Sequence, residues 1–102
     1  MNTKFKFELF RLASMLQTAG IPFEIGDCWD GYQICYPFKK ERVSGAVCHS
    51  GSYGHEKGLL EMMGLVDDEE DGDDVEGDLT AEQVFERWQK HWLENHSEKG
   101  AN

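Results

Sequence analysis

Nine of the twelve residues from Asp67 to Asp78 are carboxylates, and the stretch has no Lys or Arg. No hydrophobic core can absorb such a run, because an unpaired buried carboxylate costs more than its packing returns. The stretch is therefore expected as a solvated acidic loop. Outside it, 11 acids face 10 basic residues, so the formal net charge of −10 is local and the rest of the chain is nearly neutral. That charge argues against non-specific binding to DNA or RNA, which is driven by cations on phosphates. It leaves room for a small anionic ligand elsewhere on the surface. Two sharper readings of the run stay open. Asp67, Glu69, Asp71, Gly72 and Asp78 fall where a calcium loop places its first, third, fifth, sixth and last positions, although the last is usually Glu. A carboxylate run can also imitate the phosphates of DNA and block a basic groove.

A chain of 102 residues suits one domain, expected over 1–96 with a disordered tail at 97–102. No apolar run approaches the ~18 residues of a membrane span. The start, Met1-Asn2-Thr3-Lys4-Phe5-Lys6, lacks the apolar stretch of a secretion signal. A soluble cytoplasmic protein is expected. Cys28, Cys35 and Cys48 are odd in number and form no C-x-x-C pair, so free thiols are expected rather than disulfides. A zinc site joining them to His49 or His55 is the alternative, but no metal or cofactor is assigned.

Phe5, Leu9, Leu12, Leu16 and Ala19 recur at steps of four and three, which predicts a first helix stopped by Gly20 and Pro22. Phe7 and Phe10 fall off that face and either pack under another element or form a self-association surface; a homo-oligomer, most simply a two-fold dimer, is expected. Three β-type runs follow: Pro22–Gly26, Gly31–Tyr36 with Tyr32, Ile34 and Tyr36 on one face, and Arg42–His49. Leu59, Leu60, Met62 and Met63 read as a short helix capped by Gly64. A last helix begins at a Thr80–Gln83 capping box, with Leu79 stapled to Val84 and with Ala81, Phe85, Trp88 and Trp92 on one face. The expected fold is α+β: an N-terminal helix, a three-stranded antiparallel meander and two C-terminal helices separated by the acidic loop.

The loop His49-Ser50-Gly51-Ser52-Tyr53-Gly54-His55-Glu56-Lys57 is the candidate site. A strand leading through Gly and Ser into a helix N-terminus exposes backbone N–H groups that favour an anion. Ser50 and Ser52 add hydroxyls, His49, His55 and Lys57 add positive charge, Gly51 and Gly54 admit close approach, and Tyr53 can stack on a base. The plainer reading makes a serine the helix cap and the glycines a tight turn. The loop is neither a Walker A motif nor a dinucleotide-binding fingerprint. Its Ser and His residues lie too close in sequence for a nucleophile–base–acid relay, so no catalytic residue is expected.

The segments Asp30-Gly31-Tyr32-Gln33-Ile34, His49-Ser50-Gly51-Ser52-Tyr53-Gly54, Gly58–Leu65 and Leu79–Phe85 resemble a family of small uncharacterised proteins carried by phages and prophages of Firmicutes. The resemblance spans most of residues 5–93 and implies action in the host bacterial cytoplasm. By analogy with small phage accessory proteins, it implies a non-enzymatic binding protein that counters bacterial immunity by sequestering a small nucleotide signal. An acidic protein–protein inhibitor, a DNA mimic aimed at a nuclease or CRISPR effector, is the alternative.

Overall fold

In a computed structural model, which describes residues 4–65 and 75–101, the four-three-four spacing becomes the buried stripe of α1 (Lys4–Ala19). Leu9, Leu12 and Leu16 are fully buried and Phe5 nearly so. Each such side chain stabilises the fold by about 1.5–3 kcal/mol relative to exposure. Gly20, at φ +75°, ends the helix. Its N–H donates to Gln17 O and that of Ile21 donates to Leu16 O, at 3.2 and 3.0 Å. This paired closure satisfies carbonyls that the last turn would otherwise orphan, and only the left-handed residue lets the chain reverse this tightly.

β1 (Glu24–Cys28), β2 (Gly31–Tyr36), β3 (Ser44–Cys48), β4 (Leu60–Met63) and β5 (Val75–Leu79) form one antiparallel sheet in chain order. The sheet corrects the expected three-stranded meander. Residues 60–63, expected as a helix, are β4, so only one helix follows the sheet: α2 (Ala81–Ala101). The misread segment is too short for a stable helix, and its alternation decides its structure. Leu60 and Met62 are fully buried while Glu61 and Met63 are half-buried. Pairing of Gly45, Ala46 and Val47 with Met63, Met62 and Glu61 removes what would otherwise be a naked edge on β3. Val75–Leu79, expected within the acidic loop, pairs with β4 through a bulge between Leu60 and Met62. The rest of that loop, including the calcium-loop positions Asp67, Glu69, Asp71 and Gly72, lies outside the described residues, as does the end of the expected tail.

The register aligns Ile34, Ala46 and Met62 across β2, β3 and β4. That row, with Tyr36, Cys48, Leu60 and Leu79, meets α1 and the Ala81, Val84 and Trp88 stripe of α2 in one core. Two polar contacts fix α2 on the sheet. Trp88 Nε1 donates to the buried Ser44 Oγ at 2.9 Å, and Ser44 in turn reaches Met63 O at 2.7 Å. Tyr36 stacks on Trp88 and lies 2.7 Å from His91 Nδ1 through its hydroxyl, and burial pushes its phenol up to about 12. The expected capping box forms: Gln83 N donates to Thr80 Oγ1 and Thr80 N to Gln83 Oε1, at 3.3 and 2.8 Å. Cys28, Cys35 and Cys48 are free thiols, the last two buried.

Candidate functional site

The loop after β3 does not lead into a long helix. It closes on a single 3-10 turn (His55–Lys57) and passes directly into β4. The helix N-terminus that was to hold an anion is therefore absent from this place. The loop's own polar atoms are largely spent on holding its shape. The buried Ser52 Oγ accepts the N–H of His49 at 3.0 Å and donates to His49 O at 2.9 Å. Gly51 N donates to His49 Nδ1 and Ser50 N to Asp30 Oδ1, both at 3.0 Å. Tyr53 N donates to Glu61 Oε1 at 2.8 Å. The N–H groups of Ser52, His55, Lys57, Gly58 and Leu59 go to carbonyls of the same loop. His55 Nδ1 sits 2.6 Å from Ser52 O, so this nitrogen carries the proton. His55 also sets its ring edge-on to Phe5 of α1, at 6.0 Å between centroids.

This geometry divides the expected ligand residues. Ser52, Gly54 and the ring of His55 are architectural. Gly54 is buried at φ +88°, and a Cβ there would come within 2.8 Å of Asp78 Oδ1. His49 is half-buried and stacks on Trp29, at 5.1 Å and 24°. Ser50, Gly51, Tyr53 and Lys57 remain exposed, Tyr53 at 68%. An open groove of about 490 Å³ runs along Gly51–Lys57 to Gly77 and Asp78. Carboxylates border the loop: Asp30, Glu61 and Asp78. Hydrogen bonds from the backbone and hydroxyl of Ser50 hold Asp30 below its ordinary pKa, so it stays ionised. A phosphate would meet negative charge here and few uncommitted donors. Neither serine forms a nucleophile–base pair with His49, whose Nδ1 is occupied by Gly51 N and whose neighbour Ser52 is bound to backbone.

A more receptive surface lies on the other side of Lys57. An open groove of about 820 Å³ is lined by Lys6, Phe7, Glu8, Phe10, Arg11 and Ser14 of α1 and by Lys57 and Gly58. Phe7 is 64% and Phe10 47% exposed. Lys6 Nζ lies 5.9 Å over the Phe10 ring, whose other neighbour is Tyr32 at 5.5 Å. Arg11 and Glu8 are already engaged: Arg11 Nη1 reaches both Glu8 oxygens at 2.9 Å, and its Nη2 pairs with Glu82. The Glu82 and Glu8 carboxylates raise the Arg11 pKa further. Arg11 is outnumbered by its two carboxylate partners, so Lys6 and Lys57 leave this surface with a formal charge of only +1.

Sequence reading placed Lys57 in the site but assigned Phe7 and Phe10 to self-association and passed over Lys6 and Trp29. The available signal was a cation beside an off-face aromatic, the interleaving that favours stacked anionic ligands. Among the described residues no group of three or more His, Cys, Asp or Glu could hold a metal ion, and no helix is long and apolar enough to cross a membrane. No protein-family model matches the chain, and neither a curated protein nor a solved structure matches it.

Proposed function

We propose that this chain is a non-enzymatic binding protein that holds a small ligand of the nucleotide class in the groove between α1 and the His55–Lys57 turn. The observation that carries this reading is the flanking of the exposed Phe7 and Phe10 rings by Lys6 and Lys57. A base stacked on an exposed phenyl gains about 1–3 kcal/mol. The two ammonium groups supply the charge for its phosphate, and the carboxylate in the groove lining, Glu8, is engaged by Arg11 and the Ala81 N–H. With the phage-family resemblance, the reading extends to sequestration of a nucleotide immune signal in the host bacterial cytoplasm.

The exposure of Phe7 and Phe10 also favours a second reading, a two-fold dimer through α1. The two readings compete for one surface. The deciding experiment incubates the protein with a panel of cyclic and linear nucleotides, isolates the complex, denatures it and identifies what is released. Intact ligand, lost in Lys57→Ala and Phe7→Ala, supports sequestration. An altered product means an enzyme. Absence of any ligand, together with a dimer that Phe7→Ala and Phe10→Ala dissociate, replaces the first reading with the second.

A further inference from the structure

At the opposite side of Lys57, Trp29 is 82% exposed and adopts φ +57° as the first residue of the two-residue turn between Cys28 and Gly31. Such a turn calls for positive φ, and Gly or Asn normally supplies it. A bulky residue there is strained, and strain of this kind is held where the side chain has a use. The indole does not serve the core. It stacks on His49 and passes close enough to Gly51 that a Cβ there would lie 3.5 Å from the indole ring. Gly51 opens onto the groove that carries Tyr53. The backbone of Tyr53 is held in place: Glu61 accepts its N–H, and its Cβ sits so close to Gly77 that any side chain at Gly77 would overlap it. Two exposed aromatic residues on fixed backbone thus share one continuous surface. Around them stand Asp30, Glu56 and Asp78, all exposed, against one lysine, Lys57.

We propose that this end of the sheet is a docking surface for an arginine-rich protein surface, with Trp29 and Tyr53 as the anchors. Trp and Tyr dominate binding energy where they are pre-organised, because little side-chain freedom remains to be lost. Guanidinium groups stack on indole and pair with carboxylates in one geometry, which ammonium groups do not reproduce. The charge of the border selects a basic partner. The proposal uses none of the α1 side chains and stands apart from the nucleotide reading.

An octa-arginine peptide serves as the probe, with octa-lysine and adenosine monophosphate as comparisons, read by NMR on the Trp29 indole and the Tyr53 ring. Cationic peptides also meet the run Asp67–Asp74, so each titration is repeated on a chain with those carboxylates changed to Asn and Gln. Octa-arginine is expected to shift Trp29 and Tyr53 in both chains, several-fold more tightly than octa-lysine. Trp29→Gly combined with Tyr53→Ser is expected to weaken binding at least tenfold. Trp29→Gly alone is expected to raise the melting temperature, since glycine relieves the positive φ. Shifts that vanish on neutralising the acidic run overturn the proposal, as does an octa-arginine affinity, measured by calorimetry, that survives the double substitution. A larger response of Trp29 to the nucleotide than to octa-arginine also overturns it, in favour of a base-stacking platform.

Discussion

Glu8 of α1 accepts the backbone N–H of Ala81, the first residue of α2, at 2.7 Å. A carboxylate from one helix thereby satisfies an orphan donor of the other and meets the positive end of its dipole. The same carboxylate holds Arg11, which reaches on to Glu82. The groove wall on α1 and the start of α2 are one hydrogen-bonded unit. Glu8→Ala is expected to lower stability by about 1–2 kcal/mol, the usual cost of a lost cap, and Glu8→Gln by less, because an acceptor oxygen remains. Urea unfolding measures both. Equal loss in the two variants would mean that charge, rather than the bond to Ala81, is what matters.

Ser44→Ala leaves the Trp88 indole N–H buried without its acceptor. The expected cost is about 1–3 kcal/mol, visible as a shifted denaturation midpoint with an unchanged slope. A shift indistinguishable from wild type would show that the indole finds another partner.

Tyr36 adds a dependence on alkaline pH. Its phenol in the fold ionises only at about 12, against about 10 when unfolded. The unfolded chain therefore releases the proton first. The contribution is fully present below about pH 10 and is lost as pH rises toward about 12. Tyr36→Phe is expected to flatten this part of the stability–pH curve while sacrificing the contact with His91. A curve of unchanged steepness assigns alkaline unfolding to other groups.

The glycines of the β3–β4 loop are expected to separate. Gly54→Ala forces a side chain into a left-handed residue against Asp78, and is expected to cost more than about 1 kcal/mol. A Cβ at Gly51 meets only ordinary contacts, 3.4 Å from His49, so Gly51→Ala is expected to stay within about 0.5 kcal/mol of wild type. Thermal melts distinguish them, and comparable damage at Gly51 would make that residue as architectural as Gly54.

Binding variants divide the two surfaces. Phe7→Ala removes an exposed ring and is expected to change stability by no more than about 0.5 kcal/mol, while weakening nucleotide binding by about 1–3 kcal/mol. Tyr53→Ala is expected to leave that affinity unchanged. Calorimetry on both variants tests this assignment, and a loss at Tyr53 with none at Phe7 would move the nucleotide to the loop.

The local rules were enough for the parts of this protein whose energetics are local. The Phe5–Leu16 spacing, the Gly20 stop and the Thr80–Gln83 box all depend on neighbours within a turn or two, and each formed as written. Phe7 and Phe10 were legible as off-face residues for the same reason. The sheet's second half was not. Leu60–Met63 carries apolar residues compatible with either period, and its structure follows from partners far along the chain: Ala46 on one side and Leu79 on the other. The candidate loop shows the same limit more sharply. Its serines, histidines and glycines look like ligand donors until Asp30 and Glu61, from β-hairpin positions outside the loop, claim its N–H groups. Whether a polar group is available to a ligand depends on which internal partner reaches it first, and only the tertiary structure brings those partners within 3 Å.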